Sequence, residues 1–194
     1  MFEYLNGKIE YKKENYFVVD VGGVGYRVFS SQFGLENIRV GQVEMVYIYN
    51  VIREDTFDLY GFLSLEERHM FEMLISISGV GPKAALSVLS ILEPSRLALA
   101  IVTNDGSAIA KASGIGAKTA ARICLELSNK ISKESLDIGG SVVGRPMAAP
   151  TSDAEMALLA LGFGGNDVRN VLKSVEGSST DEIIKKALLM LGRL

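Results

Sequence analysis

Between residues 2 and 62 the apolar positions recur at every second place, the period of a half-buried strand. Tyr16-Phe-Val-Val-Asp-Val21 and Val24-Gly-Tyr-Arg-Val-Phe29 flank Gly22-Gly23, the mark of a hairpin with a two-residue turn. Val43-Glu-Met-Val-Tyr-Ile-Tyr-Asn-Val-Ile52 mixes aromatic and β-branched residues, and Phe57-Asp-Leu-Tyr-Gly-Phe62 follows as its return strand. Five short strands in so little chain predict a small closed barrel of the OB type over residues 1–64.

At residue 64 the period changes. Ser64-Leu-Glu-Glu67 is a capping box, so a helix should begin near Leu65 and carry Met70, Phe71 and Leu74 inward. A second helix should run from Pro82 to the residues before Pro94. A third starts at Ser95 and ends at Asn104-Asp105-Gly106, a short one covers 107–112, and a longer one covers 117–131. Residues 65–131 are therefore expected to be all helical.

Inside that segment lies a repeat. Leu74-Ile-Ser-Ile-Ser-Gly-Val-Gly-Pro-Lys-Ala-Ala-Leu86 aligns without a gap on Ile109-Ala-Lys-Ala-Ser-Gly-Ile-Gly-Ala-Lys-Thr-Ala-Ala121, thirty-five positions on. Gly79 and Gly114 suit a backbone at positive φ. Val80 and Ile115 are apolar and suited to folding back between two helices. Gly81 and Gly116 leave room for another backbone to approach closely. Pro82 fits the first position of a helix, where its missing N–H costs nothing. The amides of the turn and new helix, the helix dipole and Lys83 or Lys118 together make an anion site, with Thr119 beside the second lysine. A nucleotide P-loop is excluded, because Ala117 separates Gly116 from Lys118 and no buried strand precedes the turn.

Composition narrows the picture. Nearly half of the 194 residues are hydrophobic, enough for a packed core, yet no apolar run is long enough to span a membrane. The first residues lack the shape of a signal peptide. Cys124 is alone among apolar residues and reads as a small buried hydrophobe, which fits a reducing cytoplasm. His69 has no ligand-like companions, so neither a metal nor a cofactor is expected. The net charge is −3, and by segment it is −3 over 1–64, +1 over 65–131 and −1 over 132–194. The repeat-bearing segment is the positive one, and binding through main-chain amides needs few cationic side chains.

Residues 132–151 collect Gly and Pro without a period and read as a flexible linker. Beyond it, Ser152-Asp-Ala-Glu155 and Ser179-Thr-Asp-Glu182 are capping boxes, Asn166 is a candidate cap between them, and Gly177 can close that middle helix. Residues 152–194 should form a three-helix, UBA-like bundle. Its small core should leave apolar area for a partner protein, or dock on its own chain instead. Between the last two strands stands Arg53-Glu-Asp-Thr56. On its residues alone this is first a solvated turn. The other reading has Glu54 and Asp55 projecting toward nucleic acid and repelling phosphate.

Each half of the repeat resembles the helix-hairpin-helix motif, which holds the DNA backbone without reading sequence. The whole order is similar to the RuvA family of bacterial Holliday junction branch-migration subunits. It rests on Arg53-Glu-Asp55 before Leu59-Tyr-Gly-Phe62, Ile77-Ser-Gly-Val-Gly-Pro-Lys-Ala-Ala85 and Gly114-Ile-Gly-Ala-Lys-Thr-Ala-Ala-Arg122. The resemblance implies a mixed α+β chain that acts as a homotetramer and holds a four-way junction open in a square plane. It implies DNA contacts at Gly79, Val80, Gly81, Lys83, Gly114, Ile115, Gly116, Lys118 and Thr119. It makes Glu54 and Asp55 an acidic pin at the junction centre, reversing the preference for a plain turn. It gives residues 152–194 to a hexameric RuvB-type ATPase motor and adds a junction resolvase as a further partner. The chain itself would then have no catalytic residues. A rival reading, a DNA repair enzyme built on the same hairpins, would need an Asp such as Asp105 downstream of the first. That residue sits in a turn signal.

Overall fold

The computed structural model describes residues 1–138, 150–175, 177 and 179–192. Five strands, β1 (Tyr4–Lys12), β2 (Tyr16–Val21), β3 (Val24–Phe29), β4 (Val43–Ile52) and β5 (Phe57–Phe62), close in the order β1-β2-β3-β5-β4. Neighbours are antiparallel except β3 and β5, which pair in parallel through Val28–Leu59 and Phe29–Tyr60. Alternation sorts the side chains: Leu5, Ile9, Phe17, Val19, Val28, Val46, Ile48 and Leu59 fill the barrel. A short helix, α1 (Gln32–Asn37), lies on the connection from β3 to β4 and is capped by Ser31. Six residues with a glycine among them carry too little periodicity to be read from sequence, and α1 was not expected.

The outward face of β4 and β5 does a second job. Tyr49, Tyr60 and Phe62 stand against Phe71 of α2 (Leu65–Ile75), with ring centroids 5.4, 5.3 and 4.9 Å apart. The barrel is thereby packed onto the helical part through an aromatic layer. Ser64 caps α2, its Oγ accepting from the Glu67 amide at 3.1 Å, the first half of the expected capping box; the Glu67 carboxylate turns to Ser31 instead. Four helices follow: α3 (Pro82–Leu89), α4 (Pro94–Val102), α5 (Gly106–Ile109) and α6 (Ala117–Ile138).

The last of these corrects the expected boundary at 131. Ile131-Ser-Lys-Glu-Ser-Leu-Asp-Ile138 contains neither glycine nor proline, so nothing stops the helix before Gly139. Residues 132–138, the first part of the expected linker, are helical. Residues 139–149 of that segment lie outside the described residues.

Three more helices, α7 (Pro150–Ala160), α8 (Gly165–Leu172) and α9 (Thr180–Leu191), make the terminal bundle. Helix α7 begins two residues ahead of the expected cap Ser152, with Pro150 in its first turn. Gly164, not Asn166, holds the cap position of α8. Asn166 Oδ1 instead accepts from Arg169 Nη2 at 3.4 Å. Ser179 caps α9 as expected.

The bundle docks on its own chain, the second of the two readings. Leu158, Leu161, Ile184 and Leu188 belong to the same buried cluster as Leu97, Ile101 and Ile123 of α4 and α6. Ala160 O lies 3.1 Å from His69 Nε2, and Gly162, at φ +91°, passes so close that a Cβ there would stand 2.9 Å from the His69 ring. His69 is thus a docking residue. Among the described residues no single helix is long and apolar enough to cross a membrane.

Candidate nucleic-acid interface

The two halves of the repeat fold alike, bond for bond. In the first, Ile77 N donates to Leu74 O at 3.1 Å, Val80 N to Ile77 O at 3.0 Å, and Ala85 N to Gly81 O at 2.9 Å. In the second, Ala112 N donates to Ile109 O at 3.1 Å, Ile115 N to Ala112 O at 3.1 Å, and Ala120 N to Gly116 O at 2.9 Å. Gly79 stands at φ +89° and Gly114 at +82°, the left-handed region that L side chains avoid. Val80 and Ile115 are buried, each plugging the angle between its two helices.

Gly81 and Gly116 differ from the glycines before them. Neither has a positive φ, and a Cβ on either would meet nothing within 4 Å. The fold itself therefore gives no reason for glycine at 81 or 116. What glycine supplies is open space over the start of a helix. At α3 that start has no side-chain cap: Gly81 holds the cap position, and Pro82 follows at the first. First-turn amides are left facing outward, with the exposed Lys83 beside them. At the second turn Lys118 is exposed and Thr119 half-buried.

The hairpins lie side by side. A Cβ on Gly114 would come within 3.7 Å of the Ala84 Cβ in the first turn of α3. Arg122 of α6 reaches across, its Nη1 donating to Ser78 O at 3.2 Å, while its Nε stands 3.5 Å from Glu126 Oε1. Arg122 is one helical turn beyond Lys118, so the spacing puts both on one face. That it ties the two turns together depends on how the copies pack, which no spacing reveals.

The Glu54–Asp55 turn projects from the β4–β5 ribbon, with both carboxylates exposed. Arg53 N donates to Thr56 O at 2.8 Å and closes the turn, and Thr56 Oγ1 donates to Asp55 Oδ1 at 3.0 Å. Between this ribbon and the first hairpin runs a cleft of about 470 Å³. Arg53, Thr56 and Asp58 form one wall, and Gly81, Pro82 and Lys83 the other. The cleft therefore joins the root of the acidic turn to the open amides of α3. Asp105, the residue that the rival repair-enzyme reading would need, is otherwise engaged. It caps α5 by accepting from Ala108 N at 3.2 Å and Ser107 Oγ at 2.6 Å, and these bonds hold its carboxyl below the usual range.

Three family models match the chain in order: RuvA N terminal domain over residues 1–61, SAM-like helix-hairpin-helix tandem over 71–129, and RuvA C-terminal domain over 149–191. Similar over their whole length are proteins named Holliday junction branch migration complex subunit RuvA. That of Acetivibrio thermocellus is 44% identical and that of Alkaliphilus metalliredigens 39%, each covering 100% of both chains. The Ruminiclostridium cellulolyticum protein is 41% identical over 97% of this chain and 98% of its own. The chain belongs to the RuvA family. The RuvA match at the N-terminus covers the acidic turn, and the hairpin match covers both glycine turns and Arg122.

Proposed function

We propose that this chain is the structure-specific DNA-binding subunit of a branch-migration complex. It holds a four-way junction open as a homotetramer, and a separate hexameric RuvB-type ATPase moves the arms. The observation that carries this reading is the pair of matched turns with vacant space at Gly81 and Gly116. Two anion sites side by side, bridged by Arg122, suit the two strands of one duplex arm. Fourfold closed symmetry would then match four arms. Glu54 and Asp55 would stand at the crossover, where their charge repels backbones and steers strands from old pairing to new. Base pairs lost equal base pairs gained in homologous DNA, so direction comes from the motor. The terminal bundle would meet that motor with apolar residues still exposed on it, Leu159, Leu189 and Met190. A junction resolvase would act on the same complex, in the cytoplasm.

A gel shift of four-way junction against linear duplex at two salt concentrations tests this. The junction should bind more tightly, and both affinities should fall steeply with salt. Glu54→Gln with Asp55→Asn should tighten duplex binding and narrow the junction preference. An unchanged ratio would remove the acidic turn from the reading, whereas wild-type protein with no junction preference would leave a general duplex-binding scaffold as the better one.

A further inference from the structure

The β4–β5 ribbon has two faces, and the cleft uses one of them. On the other face Ile52 and Phe57 are cross-strand partners at the base of the acidic turn. They continue the row that, lower down, points into the barrel with Ile48 and Leu59. Here the barrel has ended, and the side chains are uncovered: Ile52 is 63% exposed and Phe57 56%. Phe57 is held in place. Its ring stands 6.0 Å from that of Phe2, and Phe2 makes an edge contact with Tyr26 at 5.5 Å. Phe2 is fixed at both main-chain ends by Asn50, which accepts from its N–H at 2.9 Å and donates to its carbonyl at 2.6 Å. A file of three rings thus caps the barrel mouth and ends on an exposed phenyl directly below two carboxylates.

We infer that Ile52 and Phe57 form a stacking platform for nucleobases released from pairing at the crossover. The proposal rests on the junction-binding reading. Charge selects the occupant. Glu54 and Asp55, immediately above, repel phosphate, so DNA can meet this spot only with its uncharged faces. A base face is apolar, flat and neutral, and every base has one, so stacking here is independent of sequence. The platform completes the steering device. Carboxylates keep backbones apart, and the ring below receives a base while it has no partner.

The test uses the full-length chain and an immobile four-way junction carrying either a normal nucleotide or an abasic one at a crossover position. Wild-type protein should bind the base-bearing junction about fivefold more tightly than the abasic one. In Phe57→Ala that ratio should fall to about one, while linear-duplex affinity stays unchanged. Phe57→Trp, which keeps a ring, should retain the ratio. An equal base-to-abasic ratio in wild type and Phe57→Ala overturns the platform. So does a change of oligomeric state in Phe57→Ala by light scattering, which would mean that a second copy covers the ring. The same titration separates this proposal from the reading beneath it: wild-type protein with no junction preference removes the parent reading, whereas a retained preference with no base dependence removes the platform alone.

Discussion

The two hairpins are near-copies in their turns and unlike in what stands behind them. The first is led by α2, eleven residues long, whose Phe71 sits in the aromatic layer of the barrel. Its short outgoing helix α3 opens onto the cleft shared with the acidic turn. The second is led by α5, only four residues, and leaves through the twenty-two-residue α6, against which α7 of the bundle packs. Identical main-chain bonds in such different settings show that the turn is specified locally, by glycine at positive φ and one buried aliphatic. The surroundings then assign each copy its connection, one to the barrel and the acidic turn, the other to the terminal bundle. The turn is the same in both copies, and what it is attached to differs.

The strongest way to break this comparison is to remove the plugs. Ile115→Ala should cost about 3 kcal/mol and Val80→Ala about 2 kcal/mol, because each leaves a void between two helices. Urea unfolding followed by circular dichroism reads both. A loss confined to one copy would mean that the turns are not packed on equal terms.

A smaller effect separates binding from folding. Gly81→Ala and Gly116→Ala place a methyl where the fold has nothing within 4 Å. Stability should stay within about 0.5 kcal/mol of the parent. Junction affinity should fall by about tenfold for each, roughly 1.4 kcal/mol, because the methyl occupies the space a sugar-phosphate backbone needs. Equal losses would support two equivalent contacts. A loss at 81 alone would make the cleft, not the repeat, the working element.

Much of this was legible in the sequence, for physical reasons that can be named. Strands β2 to β5 begin and end where alternation and the Gly22-Gly23 turn put them. The hairpins were legible because a repeated Gly-x-Gly before an alanine-rich helix leaves few backbone solutions. Less legible were features that depend on which surfaces meet. The apolar face of the bundle reads the same whether a partner or its own α4 and α6 will cover it. Ser152 and Asn166 carry capping chemistry, yet Pro150 and Gly164 precede them and the helices start there. Arg122 looks like any surface arginine until the copies are set side by side. Phe57 reads as an ordinary strand residue, and only the end of the barrel uncovers it.

The smallest expected effect sits on a difference between the copies. Glu67, in the lead-in helix of the first hairpin, is buried, and thirty-five positions on the chain has Val102. The Glu67 carboxylate accepts from Ser31 Oγ, which in turn accepts from Gly34 N at 3.1 Å, so α2 is bonded to the cap of α1. Burial pushes the Glu67 carboxyl above its ordinary value, more strongly than the hydrogen bonds from Ser31 and the Leu63 amide pull it down. The native state therefore holds this proton more tightly than the unfolded chain does. As pH rises from the ordinary carboxylate range through the raised native value, the unfolded state loses its proton first, and stability falls. Glu67→Gln keeps an acceptor for Ser31 and removes the charge. It should equal the parent near pH 4 and exceed it by about 1 kcal/mol at pH 7, what remains of a desolvation penalty that two hydrogen bonds partly offset. Urea midpoints at both pH values measure this. A variant less stable than the parent at pH 7 would show instead that the ionised carboxylate holds the barrel to the first hairpin.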